Sequence, residues 1–239
     1  MYKAAIEVAQ NACEDKLLQI YFIGLRVLST AMTPKICETN VGAGLINTSI
    51  KRFVPMLITK IGELNYRARD ISLHTLVSLF HHPDVDIRIL IDNIMEIVEK
   101  EGSPTPDKLP WRICLARLEI LLSTVKEFGI NHDVWNWKII FNKLIHPSLL
   151  HQNQDVRYMC IELIVQFFKL LGDDVKLEVM EFKDLKPKLM QSILQKLDQV
   201  LEQDPDLRNK HLEKKGGLPI IEEEKATPPQ STNRVNKFN

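Results

Sequence analysis

The chain has 239 residues, 45% hydrophobic and 26% charged, the mix of a folded domain with a core of its own. Its 31 lysines and arginines balance 31 aspartates and glutamates, and a formal net charge of zero argues against a general nucleic-acid binder. No apolar run approaches the ~20 residues that a helix needs to span a bilayer, so no membrane partner is expected.

Met1 to Cys13 reads as helix and not as a signal peptide, because Glu7 interrupts the apolar run. A second helical stretch, about 15–31, stops before Thr33-Pro34, and a third, about 46–61, contains Pro55, which should kink it. The pattern over 66–80 ends at His81-His82-Pro83. Those histidines with Asp84 and Asp86 match no zinc spacing and read as a helix end. After a stretch over 86–100 come prolines from Pro104 to Pro110, and then Trp111, Cys114, Leu118, Leu121, Val125 and Phe128 step by three and four. A stretch over 133–146 should stop at His146-Pro147. Val156, Cys160, Leu163, Phe167 and Leu170 then repeat the helical step up to Gly172, and 186–203 is the last periodic segment. Beyond Asp204 the apolar content falls away through Lys214-Lys215-Gly216-Gly217 and Glu222-Glu223-Glu224. This predicts a folded domain over 1–205 and a flexible linker or tail over 206–239. Cys13, Cys37, Cys114 and Cys160 form no CxxC pair, and a reduced, cytoplasmic setting follows.

An internal repeat organises these elements. Arg67, Arg112 and Arg157 are spaced 45 residues apart, twice over, and the residues around them agree in type. One before each stands Tyr66, Trp111 or Val156; six after, Leu73, Leu118 or Leu163; ten after, Val77, Leu122 or Phe167. Five after, all are polar: Ser72, Arg117 and Glu162. A period of this length belongs to two-helix repeats, whose pairs cover their apolar faces only by stacking. The expected fold is all-α, an α-solenoid of antiparallel helix pairs with no strands. Asn65 and Asp155 stand where each second helix wants an N-cap. The recurring arginines are expected to reach a carboxylate or carbonyl of the neighbouring unit, and Trp111 to pack into the core.

Phe53-Val54-Pro55-Met56-Leu57 and the turns Asn65-Tyr66-Arg67 and Gln154-Asp155-Val156-Arg157 resemble the HEAT repeat. Over about residues 2–203, the order and length of the units and the stretch Phe182-Lys183-Asp184-Leu185-Lys186-Pro187-Lys188-Leu189 are similar to a TOG domain, a HEAT array that binds tubulin. Within that family the chain looks most like the branch found in a ciliary-tip centrosomal protein. The resemblance implies a non-catalytic tubulin- or microtubule-end-binding module of the centrosome, centriole or cilium tip, with no cofactor and no metal. It leaves the tail and other faces for further centrosomal or ciliary proteins. It also implies that the turns inside the helix pairs, near 12–16, 62–67, 101–112, 147–157 and 182–188, line one edge and meet tubulin. Their candidate binding residues are Lys16, Arg67, Lys108, Arg112, Lys183, Lys186 and Lys188. The chain departs from the family in its first turn, Asn11-Ala12-Cys13-Glu14-Asp15-Lys16, which lacks the usual exposed tryptophan. The alternative is a HEAT scaffold that grips a peptide or a protein partner, such as a kinase or adaptor, on a helical face. No nucleotide-binding, nucleophile-elbow, zincin or kinase motif is present to support an enzyme.

Overall fold

The structure is a computed structural model and describes residues 1–33, 41–99, 104–130 and 135–214. The Thr33-Pro34 joint, Cys37, the start of the turn near 101–112, the first residues of the 133–146 stretch and the tail beyond 214 therefore fall wholly or partly outside the described residues. The elements are α1 (Tyr2–Cys13), α2 (Leu18–Ala31), α3 (Ala43–Ile61), α4 (Tyr66–Leu79), α5 (Arg88–Glu99), a 3-10 turn (Pro106–Lys108) and α6 (Trp111–Phe128). They continue with α7 (Trp137–Ile140, a π-type turn Phe141–Ile145 and His146–Leu149), α8 (Gln154–Leu171), α9 (Asp173–Met180), α10 (Pro187–Gln203) and α11 (Pro205–Lys214). Among the described residues there is no strand, and the fold is the expected all-α array. By its contacts the chain divides into Met1–Val200 and Leu201–Asn239. The second unit holds α11, whose N-cap Asp204 accepts the Leu207 N–H at 3.0 Å.

In the first unit, α1 packs on α2, α3 on α4, α5 on α6 and α7 on α8. The second helices α2, α4, α6 and α8 are neighbours in one layer; α3, α5 and α7 are neighbours in the other. Apolar side chains fill the space between the layers, with Tyr21, Phe53, Phe141, Phe167 and Phe168 shut off from solvent. A few polar clasps fix the register of one pair on the next. The Tyr21 hydroxyl of α2 lies 2.5 Å from the Ser72 hydroxyl of α4. Arg69 of α4 pairs with Glu119 of α6. Asn47 of α3 holds both the Asp84 carbonyl (2.8 Å) and the Asp86 N–H (2.9 Å) of the following connection.

Several sequence expectations change in the structure. Ser72, placed at a polar repeat position, is fully buried, because its hydroxyl is used up by Tyr21 and the Ala68 carbonyl. Tyr66, in phase with Trp111 and Val156, is the first residue of α4 and is 78% exposed. Asn65 does cap α4, accepting the Ala68 N–H at 2.9 Å, but α8 is capped by Asn153 and not by Asp155. Asn153 accepts from the N–H groups of Asp155 (2.8 Å) and Val156 (3.3 Å), so the helix starts two residues early. His146-Pro147 does not end α7. The π-type turn before it shifts the hydrogen bonding so that the His146 N–H reaches the Phe141 carbonyl, and Pro147, which lacks an N–H, is accommodated in the final turn. Gly172, with φ 80°, ends α8, yet α9 follows at once with Asp173 and Asp174 suiting its positive N-terminus.

Helices α1 and α2 approach so closely that a Cβ on Gly24 would stand 2.8 Å from Cys13 Sγ and 2.9 Å from the Cys13 backbone nitrogen. Gly24→Ala gains up to about 1 kcal/mol of helix propensity. It forces backbone apart at a cost of about 1–3 kcal/mol, and the clash wins. Thermal unfolding should show a melting point lowered by about 2–6 °C; an unchanged or raised value would mean that the pair is not packed this closely.

Candidate binding edge

The turns inside the helix pairs are each held by short-range bonds, and some neighbouring turns touch. In the first, residues 14–17, the Asp15 carboxylate accepts the Leu17 N–H at 2.7 Å and leaves Lys16 and Leu17 exposed. In the second, Lys60 pairs with Glu63 at 3.0 Å and lies over the Tyr21 ring. Arg67, the next cation, sits 5.2 Å from the ring centre of Phe22, which ties the start of α4 to α2. The third turn is pinned by buried Pro106 and Leu109, with Lys108 exposed between them. Arg112 stacks on its half-buried neighbour Trp111, 4.7 Å from the ring centre. Trp111 is thus a partly exposed platform and not a core residue. A Cβ on Gly62 would lie 3.7 Å from the Arg112 carbonyl, so the second and third turns touch.

The fourth turn is tied to the third through buried His151. Its Nδ1 accepts the Asn153 N–H at 2.9 Å, which assigns the proton to Nε2, and Nε2 donates to the Leu109 carbonyl at 2.9 Å. Arg157 donates to the carbonyls of His151 (2.7 Å) and Gln152 (2.6 Å). It therefore closes the turn of its own pair and does not reach the neighbouring unit. Arg67 and Arg112 meet rings, and the carboxylate contact between units is made by Arg69. In the fifth turn Phe182 and Leu185 are buried. The Phe182 ring stacks flat on His146 of α7, 3.9 Å between centres and 6° between planes. Burial lowers the His146 pKa below its ordinary 6.5, with Asp184 opposing, so the ring sits in this stack uncharged at neutral pH. Lys183, Lys186 and Lys188 are exposed around this anchor.

The seven candidate cations all stand on turns or in first helical turns. The edge is not uniformly basic: Glu14, Asp15, Glu63, Asp107, Glu181 and Asp184 are interleaved with them. Between the charges stand exposed apolar residues that the sequence reading did not assign to binding. Leu17 is 64% exposed, Leu64 and Tyr66 78%, and Leu150 43%. Their signal was present, since turns normally carry small polar residues and a leucine there has no core to enter. Among the described residues no cluster of three or more histidine, cysteine or acidic side chains could hold a metal ion, and no helix is long and apolar enough to cross a membrane.

Stacked antiparallel pairs with an exposed edge of turns define a HEAT-type array of the TOG class. The family model of the TOG domain of centrosomal protein CEP104 matches residues 1–163, and the chain belongs to that family. A solved CEP104 TOG domain superposes with a TM-score of 0.63 at 16% identity, covering 85% of this chain and 76% of its own. The human Cep104 TOG domain gives 0.63 at 13% identity, covering 84% and 74%. A structure of microtubule polymerases with TOG domain arrays, solved for tubulin recruitment and assembly, gives 0.62 at 16% identity, covering 94% of this chain and 44% of its own. No curated protein matches the sequence. The family is a non-catalytic binding module.

The bonding separates structural cations from free ones. Arg157→Ala removes two charge-assisted bonds at a partly exposed site and should cost about 1–2 kcal/mol. That lowers the melting point by about 2–6 °C. Lys108→Glu and Lys186→Glu should leave it within a degree or so, as surface changes do. A melting point that falls as far for the lysine variants would show that they hold the turns together.

Proposed function

We propose that the chain binds the tubulin dimer through the edge of turns and works at microtubule ends by holding tubulin, with no bond chemistry. The observation that carries this reading is the alternation along one edge of exposed apolar residues (Leu17, Leu64, Tyr66, Leu150) with exposed cations (Lys16, Arg67, Lys108, Lys183, Lys186, Lys188). Desolvated apolar anchors supply affinity, and flanking charges select an acidic partner and set its register. Tubulin presents an acidic surface, and a structurally similar TOG array recruits tubulin. Leu17, and Leu64 with Tyr66 one turn further on, take the place of the first-turn tryptophan that is typical of the family. Membership of the CEP104 TOG family supports a cytoplasmic role at the centrosome or centriole, and at the tip of the cilium. The remaining faces are open to other centrosomal or ciliary proteins.

Gel filtration of the chain with soluble tubulin tests the edge. Lys108→Glu combined with Lys186→Glu should weaken co-elution by several-fold to tens-fold at low salt, the penalty shrinking at high salt as charges are screened. Leu64→Ser combined with Tyr66→Ser should weaken it to a similar degree at both salts, because apolar burial is not screened. Parent-like co-elution of both double variants would overturn the assignment.

A further inference from the structure

A second surface lies away from the turns, on the outer side of α2. A groove of about 880 Å³ runs between α1, α2 and the start of α3. Val27, Ala31 and Leu45 line it, and Ile23 stands at its lip 57% exposed. Among the described residues that line it, the charged side chains are Lys3 and Arg26, both cationic and exposed. Helices α1 and α3 border the groove with their N-terminal residues. Neither has a side-chain cap bond or an acid in its first turn, so both positive helix ends add to the same field. Arg26 also borders a shallower groove on the other flank of α2, lined with Phe22, Ile71 and Arg67.

We propose that this groove is a docking site for a short segment of a partner protein in which apolar residues alternate with acids. The apolar side chains fill the space against Val27 and Leu45, and the carboxylates face Lys3, Arg26 and the two helix ends. The sign of the rim chooses an acidic partner and the apolar lining excludes a bare anion. A second copy of the chain would bring the same cations against themselves. The site uses none of the edge residues apart from Arg67 on its far flank, and it stands or falls apart from tubulin binding.

The probe is a fluorescein-labelled peptide of about twelve residues alternating leucine and glutamate, titrated with the full chain by fluorescence anisotropy. Its control is the same peptide with lysine for glutamate. The glutamate peptide should bind saturably and the lysine peptide at least tenfold more weakly. Ile23→Asp combined with Arg26→Glu should weaken the glutamate peptide at least tenfold while tubulin co-elution stays as in the parent. Lys3→Glu, a gentler change that adds an acid at a helix N-terminus and so cannot weaken the helix, should weaken the peptide in the same direction. The proposal is overturned if the two peptides bind alike, if the variants bind the glutamate peptide as the parent does, or if no saturable binding occurs up to about 1 mM peptide.

Discussion

Each helix pair of this chain leaves an apolar flank that it cannot cover, and the next pair must cover it. The burial of Tyr21, Phe53, Phe141 and Phe167 is the result, and it supplies most of the cohesion. Burial alone does not choose a register, since apolar contacts are non-directional. The directional bonds do that: Tyr21 to Ser72, Arg69 to Glu119, Asn47 to the 84–86 connection, and His151 to the Leu109 carbonyl. Each joins one pair to the next, and each would have to break before two pairs could slide. The alignment of the turns follows from this register, to which the third and fourth turns contribute the His151–Leu109 bond.

An aligned edge explains why exposed residues with no structural duty recur at equivalent places. Leu64 and Tyr66 make no core, and among the described residues Lys108 and Lys186 make no ion pair. The arginines that look equivalent in the sequence have separate duties: Arg157 closes a turn, Arg67 covers a ring of the preceding pair, and Arg112 lies on Trp111. A binding edge therefore has to be read from what each side chain already holds and not from its place in the repeat. The interleaved acids also set the character of the edge, which suits orientation of a partner more than long-range attraction.

The helical period, the two-helix repeat and the position of most helices were legible in the sequence, because apolar spacing answers directly to burial. What escaped depends on tertiary context. Ser72 looks like a solvent position until Tyr21 supplies a partner, and His146-Pro147 looks like a stop until the π-type turn absorbs the missing N–H. The short helix α9 lay hidden behind Gly172, whose left-handed conformation ends one helix and lets another begin. The candidate cations could be placed on turns from their spacing, whereas the exposed leucines beside them show only as apolar residues in turns that normally carry small polar ones. Amphipathic periodicity says which residues of a helix are buried and is silent about a turn.

The central claim is that the edge of turns, and not a helical face, receives tubulin. Hydrogen–deuterium exchange of the full chain with and without the tubulin dimer tests it at peptide resolution. Protection should appear together over 14–17, 62–67, 105–112, 150–153 and 181–188, with the outer side of α2 unchanged. Protection confined to a helical face, with those turns exchanging as in the free chain, would contradict the account.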